Sequence, residues 1–201
     1  MKRSQKVYLL FKNIIGFFGS VVGIILCFSF LWWWIFIINL FVSKGHPIYV
    51  QKRIGKHEKV FGLLKFRSMR IDAPEIAPHD MTEELRNSLE TKFGKFLRRT
   101  SLDETLQLLN ILVGQMAFIG PRPGAAHNEE DLIVLRKQYT PNAFDVRPGL
   151  GGLAQLKMNR THTPADKARY DHEYVSNVSL WLDIKIFAGT LAKLFGKGKG
   201  K

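Results

Sequence analysis

The adjacent carboxylates of Asp103 and Glu104 are the strongest chemical feature of the sequence. An ionised aspartate can act as a nucleophile, and a glutamate beside it can hold a Mg²⁺ ion that neutralises phosphate oxygens. The pair opens a predicted helix whose apolar residues recur at helical spacing, namely Leu102, Leu106, Leu109 and Val113. Ser101, three residues before Glu104, also completes the pattern of a helix capping box, so these residues alone favour a structural role.

Three arginines in constrained settings shift the balance towards chemistry. Arg98 lies near the basic end of a predicted amphipathic helix, and Arg147 lies in a loop rich in glycine and proline. Arg122 lies between Pro121 and Pro123, which fix φ and lack an N–H group, so a stiff loop is expected to aim it. A helix N-terminus suits a phosphate and keeps a nearby aspartate ionised. We therefore expect the arginines to converge with the carboxylates on a phosphate site.

The positive charge of the chain surrounds a hydrophobic segment. The formal net charge is +13, yet residues 71–190 are close to neutral and the excess lies in residues 1–12, 44–70 and 191–201. A nucleic-acid-binding protein more often carries its positive charge on the folded domain. Basic clusters beside an apolar segment are typical of contact with anionic lipid headgroups. We therefore expect a membrane partner and no nucleic acid.

The apolar residues 14–42 predict a retained membrane anchor. These 29 residues would form a straight helix of roughly 44 Å against a hydrocarbon core of about 30 Å, so the helix must tilt, bend, or enter and return. Basic residues flank both ends, which favours a re-entrant helix with both ends in the cytoplasm over a tilted span. One face carries only small residues and fits either a second helix or lipid. Its members are Gly16, Gly19, Ser20 and Gly23.

The rest of the chain predicts a small globular domain. Two short strands at 48–50 and 60–66 indicate a hairpin. Apolar residues at 85, 89, 93 and 97 predict one amphipathic helix that begins at about Thr82. The other segments are predicted as helices at 129–138, 166–175 and 180–194, and as loops at 73–78, 118–123 and 146–155.

These elements predict a helix-rich α+β fold class. A membrane-inserted, re-entrant helix is expected over residues 1–45, and a small membrane-associated domain with a short hairpin over 46–195. The Gly/Lys tail at 196–201 is expected to be disordered.

An ordered series of motifs resembles the monotopic phosphoglycosyl transferases, also called bacterial sugar transferases, which initiate surface-glycan assembly on polyprenyl phosphate. Each motif alone is weak, but their order covers nearly the whole chain after the apolar segment. The motifs are QKRIG at 51–55, KFRSM at 65–69, GKFLR at 94–98, SLDE at 101–104, GQM at 114–116, FIGPRP at 118–123, VRPG at 146–149, GLAQ at 152–155, YDHEYVSN at 170–177 and LDI at 182–184.

The resemblance implies that Asp103 attacks the β-phosphorus of a UDP-sugar and releases UMP. Polyprenyl (undecaprenyl) phosphate then accepts the phosphosugar from the aspartate. Mg²⁺ is the implied cofactor and Glu104 its ligand, while Arg98, Arg122 and Arg147 are implied to hold phosphates. Other implied substrate-binding residues are Pro121, Pro123, Gln155, Lys65 and Arg67. The implied location is the cytoplasmic face of the bacterial inner membrane, where exopolysaccharide, lipopolysaccharide or capsule assembly begins.

The chain departs from the family pattern at three places. The family's anchor carries a Ser-Pro break, whereas here Phe30 follows Ser29. A Leu-Pro pair after the two carboxylates is replaced by Thr105-Leu106, and Arg160 comes one residue late, so Arg160 is left out of the predicted site.

Other readings of individual residues and of the whole protein stay open at this stage. Lys65 and Arg67 fit ordinary strand-edge charges as well as substrate ligands, and Asp171 and Tyr174 fit structural polar contacts. A non-catalytic scaffold that binds anionic lipid would explain the basic clusters and the capping box. A membrane-proximal phosphohydrolase would share the acidic pair and the arginines.

Overall fold

A computed structural model describes residues 1–43, 45–74, 82–127, 129–158 and 163–196. The fold is helix-rich α+β with an apolar N-terminal helix, as predicted. The helices are α1 Arg3–Cys27, α2 Trp33–Val42, α3 Glu83–Leu89, α4 Lys92–Thr100, α5 Gln107–Leu112, α6 Glu130–Lys137, α7 Leu153–Lys157, α8 Pro164–Ser176 and α9 Leu180–Gly196. The strands are β1 Ile48–Ile54, β2 Val60–Phe66, β3 Ala117–Ile119, β4 Gly124–Ala125 and β5 Gly149–Gly151.

The apolar segment packs one face on the rest of the chain. Within the described residues, Arg3–Phe30 is the one helix long and apolar enough to cross a membrane, judged by length and composition only. Its small residues face the domain. A Cβ atom added at each glycine would meet a domain side chain, in the pairs Gly16 with Ile111, Gly19 with Phe118 and Gly23 with Leu108. The small face therefore admits a second helix, α5, which resolves the two readings of this face.

Polar contacts tie both ends of the apolar segment to the same domain. Near the start of α1, Lys12 forms an ion pair of 2.6 Å with Asp183 of α9. In α2 the fully buried Asn39 donates from Nδ2 to the carbonyl oxygens of Pro47 and Arg67, at 3.1 and 2.7 Å. A buried amide in an apolar helix needs such partners. Both ends of the segment thus contact one body.

The predicted hairpin is confirmed and is longer than expected on its first strand. Strands β1 and β2 pair antiparallel from Ile48 opposite Phe66 to Ile54 opposite Val60, and β4 pairs with the other edge of β1. Phe61 and Leu63 of β2 pack on α5 and Met116 in one hydrophobic cluster. The sheet and α5 therefore fix the position of Lys65, which follows on β2.

The prediction of one helix from about Thr82 is wrong in one respect. The structure has two helices here, α3 and α4. Glu90 is extended and bridges Met69, and the backbone N–H of Thr91 donates to the Ser68 carbonyl oxygen at 3.2 Å. The Thr91 side chain then caps α4 by accepting from the N–H of Gly94. These tertiary contacts interrupt the helix although the apolar periodicity of the sequence continues, and Thr91 starts α4 as a separate helix.

The helix predicted after Ser101 is shorter than expected, and the capping box is not formed. Ser101 has a left-handed backbone, with φ at 58°, and its side chain caps nothing. A single 3₁₀ turn, Leu102–Glu104, follows, and α5 begins only at Gln107. The left-handed backbone of Ser101 ends α4, because a right-handed helix cannot continue through a residue with positive φ. The chain then makes a tight turn before the next helix. The carboxylates therefore lie on this turn.

The two loops predicted at 118–123 and 146–155 are partly regular: β3 extends into the first, and the second contains β5 and the first three residues of α7. Strand β3 includes Phe118 and Ile119, and it pairs in parallel with β5 in the second loop. Both strands are too short for a periodic signal, because each has three residues. Pro121 still ends β3, as its missing N–H requires. Residues 75–78 of the predicted 73–78 loop, Arg160 and the tail at 197–201 lie outside the described residues.

Gly94→Ala is expected to destabilise the protein. A Cβ atom at this position would lie 1.8 Å from the Ser68 carbonyl oxygen, so α4 must move away from the strand exit. Overpacking of this kind costs about 1–3 kcal/mol, and the midpoint of thermal unfolding in detergent should fall by several degrees. The matched control is Gly16→Ala, whose Cβ would lie at an ordinary 3.8 Å from Ile111. Equal midpoints for the two variants would contradict this packing.

Candidate active site

Asp103 is a buried carboxylate that has no hydrogen-bond or ion-pair partner among the residues that the structure describes. The residue is 6% exposed, and within the described part of the chain its carboxylate accepts no hydrogen bond and forms no ion pair. Burial and then the adjacent charge of Glu104 raise the pKa of Asp103, while positive charges on three site residues oppose the rise. Those residues are Lys65, Arg98 and Arg122. The expected helix N-terminus does not act on Asp103, because α5 begins four residues later.

Glu104 takes the ion pairs that Asp103 lacks. The Arg122 guanidinium contacts Oε1 of Glu104, and Nζ of Lys65 lies 3.8 Å from the same oxygen. Burial alone would raise the pKa of Glu104, but the charges of Arg122 and Lys65 outweigh burial and hold the pKa at about 2. Burial, followed by the charge of Arg122, lowers the pKa of Lys65 to about 8. Glu104 is therefore ionised at neutral pH.

Arg98 reaches the site from the last turn of α4. Its Nε donates to Oγ of Ser68 at 2.8 Å, and its Nη1 pairs with Glu90 at 2.9 Å. Glu90 lies at the break in the predicted long helix, and the Ser68 carbonyl oxygen accepts the hydrogen bond from Thr91 at that break. These contacts hold Arg98 near the turn that carries Asp103, and its side chain remains 38% exposed.

Two buried guanidinium groups hold the loop that carries Arg122. Nη2 of Arg136 donates to the carbonyl oxygen of Arg122 at 2.8 Å, and Nη1 of Arg53 donates to that of Pro123 at 3.0 Å. The carbonyl oxygen of Pro121 accepts from the backbone of Gly149 at 2.9 Å. The carbonyl oxygens of residues 121–123 therefore all accept hydrogen bonds, although the loop itself has few N–H donors. These bonds hold the backbone at Arg122 and at the residue on each side of it.

These supporting arginines have buried acidic partners of their own. Arg136 pairs with Asp171 at 2.5 Å, and Arg53 pairs with Glu129 at 3.2 Å. Glu129 also pairs with Lys167 at 2.7 Å. Such buried charges are stable only when paired. The structural reading of Asp171 is therefore the one that fits.

Sequence reasoning did not assign roles to Arg53, Arg136 or Glu129. The two prolines of the loop gave one indication of these roles. A loop with two prolines cannot pair its whole backbone, so its buried carbonyl oxygens must accept hydrogen bonds from other groups. This indication does not say which side chains supply them. Tyr174 is buried and donates to Asp183 at 2.7 Å, which is also a structural contact.

Three predicted site residues lie apart from the carboxylates. The Arg147 guanidinium packs on Gly114, whose φ is +79°, beyond the far end of α5, and only burial shifts its pKa, downwards. Arg67 donates to the carbonyl oxygen of His46 at 2.8 Å and stacks over Tyr49. The Gln155 amide donates to Leu150 at 3.4 Å. The site thus brings together Lys65, Arg98, Asp103, Glu104 and Arg122.

The carboxylates of the site fit a Mg²⁺ ion that is coordinated partly by the protein and partly by the phosphates of a substrate. Within the described residues, no three or more His, Cys, Asp or Glu side chains form a ready metal cage. Mg²⁺ usually keeps several waters and takes one or two carboxylates together with substrate phosphates. The ionised Glu104 side chain is 21% exposed and next to Asp103, so it can serve as such a ligand.

Comparison with known proteins gives consistent results. The chain is 33% identical over 210 residues to galactosyl transferase CpsE of Streptococcus agalactiae serotype III, covering 98% of this chain and 45% of that protein. It is 36% identical over 166 residues to the UDP-glucose:undecaprenyl-phosphate glucose-1-phosphate transferase of Xanthomonas campestris pv. campestris, covering 77% and 33%. The chain therefore spans less than half the length of these two relatives.

A third relative matches end to end. The chain is 35% identical over 202 residues to exopolysaccharide production protein PSS of Rhizobium leguminosarum bv. phaseoli, which covers 96% of this chain and 98% of that protein. The bacterial sugar transferase family model matches residues 7–197, which include every residue of the carboxylate site. The match over nearly the whole length shows that this chain belongs to the bacterial sugar transferase family.

Proposed function

We propose that the protein transfers a sugar 1-phosphate from a UDP-sugar to undecaprenyl phosphate or a similar polyprenyl phosphate. The products are polyprenyl-diphosphate-sugar and UMP. The buried, unpartnered carboxylate of Asp103, surrounded by Lys65, Arg98 and Arg122, carries this proposal. The name of the Xanthomonas relative, a UDP-glucose:undecaprenyl-phosphate glucose-1-phosphate transferase, supports the same reaction class.

Asp103 is the proposed nucleophile in a two-step reaction. Its carboxylate oxygen attacks the β-phosphorus of the UDP-sugar, the bond from that phosphorus to the bridging oxygen breaks, and UMP leaves with the bond electrons. An oxygen of polyprenyl phosphate then attacks the same phosphorus and releases the carboxylate. No hydrogen bond needs to break before the first attack, because Asp103 has no partner within the described residues. Two steps allow a soluble donor and a lipid acceptor to react in turn.

The cations of the site are proposed to hold the phosphates. Arg98 and Arg122 carry fork-shaped guanidinium groups that match phosphate oxygens, and Lys65 adds a point charge. Arg147, Gln155, Pro121, Pro123 and Arg67 stay predicted substrate-binding positions. A substrate that reaches Arg147 would have to extend from the carboxylates towards Gly114.

We propose that Glu104 is a ligand of Mg²⁺. Its low pKa leaves it ionised, and its exposed edge can face a bound diphosphate. A bound Mg²⁺ would supply neutralisation of the negative charge on the phosphates. Arg122, which now contacts Glu104, can then turn to the phosphate oxygens that bind beside it.

The protein is proposed to act as a monotopic enzyme on the cytoplasmic face of the bacterial inner membrane. Both ends of the apolar segment contact the one domain over 46–195, which supports a re-entrant segment over a span. Helix α9 presents a second exposed apolar face that can rest on lipid, made of Leu180, Trp181, Ile184, Phe187 and Leu191. The basic clusters would bind anionic headgroups. There the reaction would begin exopolysaccharide, lipopolysaccharide or capsule assembly.

Asp103→Asn is expected to abolish the reaction. The purified full chain, in lipid with polyprenyl phosphate and Mg²⁺, is supplied with a panel of UDP-sugars, and UMP release is measured. The variant should lose more than about 10³-fold in rate, because an amide is a poor nucleophile. Asp131→Asn, a change of the same kind at an exposed position of α6, should keep the wild-type rate.

Full turnover by Asp103→Asn would overturn the mechanism. A scaffold would instead bind anionic vesicles in a salt-sensitive way and release no UMP. A phosphohydrolase would form its product without added polyprenyl phosphate.

Glu104→Gln is expected to raise the concentration of Mg²⁺ needed for half-maximal UMP release by at least about tenfold, because an amide binds a hard cation weakly. Chelation of Mg²⁺ by EDTA should stop the wild-type reaction, and added Mg²⁺ should restore it. Glu130→Gln on the exposed side of α6 serves as the matched control. Equal activity of the wild type with and without EDTA would argue against a metal.

Cysteine labelling is expected to place both ends of the apolar segment on one side. Single cysteines are introduced at the exposed positions Ser4 and Lys59 in a Cys27→Ser background, and an impermeant maleimide is applied to oriented vesicles. Both cysteines should react only from the cytoplasmic side. Labelling of Ser4→Cys and Lys59→Cys from opposite sides would show a tilted span.

A further inference from the structure

A π-helical turn interrupts the apolar segment where the segment contacts the 3₁₀ turn that carries Asp103 and Glu104. Five residues, Phe28–Trp32, form this turn between α1 and α2. Cys27 and Trp32 both pack on the domain although they are five residues apart, a spacing that would place them roughly 140° apart on an α-helix. A π turn closes its hydrogen bonds over five residues and so brings both onto one face.

Trp32, which the π turn places against the domain, is the first of three consecutive tryptophans. Trp32 is 9% exposed, whereas Trp33 and Trp34 are 53% and 68% exposed. Trp32 joins a buried cluster with Leu106, close to the catalytic carboxylates in sequence. Two of the three indoles therefore face outwards, and one is directed at the active-site region.

The Trp32 indole makes a specific polar contact there. Its Nε1 donates to Oγ1 of Thr105 at 3.0 Å, and the same hydroxyl donates to the Leu102 carbonyl oxygen at 2.8 Å. The backbone N–H of Thr105 also donates to the Leu102 carbonyl, at 3.3 Å. Leu102 and Thr105 bracket Asp103 and Glu104. The hydroxyl thus closes the 3₁₀ turn, and the indole orients the hydroxyl.

Asp103 depends on this turn for its position. No side chain of the described residues forms a hydrogen bond or ion pair with its carboxylate, so the backbone of the turn is the element that places the nucleophile among the site cations. The turn begins at Ser101, whose left-handed backbone is unfavourable for a residue with a Cβ atom. A strained turn of three residues needs contacts from outside to keep one geometry.

We propose that Trp32 is a positioning residue for the transfer reaction. Through the Thr105 hydroxyl it couples the seat of the membrane segment to the placement of Asp103 and Glu104. The inference rests on the proposed function, since it concerns the rate of attack by Asp103.

Conservative substitutions test the hydrogen bond separately from packing. Trp32→Phe keeps an aromatic ring in the buried cluster and removes the N–H donor, and Thr105→Val keeps the branched shape and removes the hydroxyl. We measure the rate of the first UMP release without lipid acceptor, together with kcat, the KM for the UDP-sugar and the thermal midpoint. Each variant should lower the first-step rate and kcat about five- to tenfold, with KM changed less than about twofold.

Three comparisons distinguish a positioning role from a structural one. The double variant should be no slower than either single variant, because both remove the same hydrogen bond. Thr105→Ser keeps the hydroxyl and should recover most of the rate. Trp33→Phe makes the same chemical change one residue later on the exposed face and should have the wild-type rate.

The proposal fails if Trp32→Phe keeps the wild-type first-step rate, or if the effects of Trp32→Phe and Thr105→Val multiply independently. It also fails if the rate loss matches a loss of folded protein, as a lower thermal midpoint would reveal. Absence of UMP release from the wild type would instead contradict the proposed function. The two failures are therefore distinguishable in one set of assays.

Discussion

The ion pair between Arg122 and Glu104 is the contact around which the domain is arranged. Burial would raise the pKa of the Glu104 carboxylate, and the positive charges of Arg122 and Lys65 more than offset this and hold the pKa low. Arg122 in turn needs a loop that aims it, and that loop depends on Arg53 and Arg136 for its carbonyl partners. Each further arginine requires a buried acid. Charge pairing thus extends from the carboxylates through strand β1 to helices α6 and α8.

The apolar segment is part of the same arrangement. Its small face admits α5, and its larger side chains complete a core with β2 and α4, so the segment supports the elements that carry Lys65 and Arg98. The opposite face carries large exposed apolar residues, which water would disfavour and lipid would accommodate. In the proposed reaction the acceptor is a lipid, so a segment with one face on the domain and one on the bilayer brings the acceptor to the nucleophile.

The sequence predicted the elements whose signal is local. The hairpin and helices α6, α8 and α9 follow from periodicity within single segments, and all are observed. The break at Glu90 could not be predicted, because it depends on a bridge to Met69 and on a hydrogen bond to Ser68, both distant in sequence. Strands β3 and β5 have three residues each and gain stability only from one another. The candidate site was likewise predicted only in part. Lys65 converges with the carboxylates, as expected. Arg147, which lies just before β5, instead packs on Gly114.

The failed capping box has a chemical consequence for the proposed reaction. A helix N-terminus at Asp103 would lower the pKa of the carboxylate and reduce its basicity, whereas burial on a 3₁₀ turn raises its pKa. Glu104, one residue later, is held at a pKa of about 2 by its cations. Two adjacent carboxylates thus have pKa values displaced in opposite directions. The more basic one is the better nucleophile towards phosphorus, and the permanently ionised one is the better ligand for a divalent cation. A regular helix would have given the pair one shared environment, so the irregular turn is what allows a division of roles.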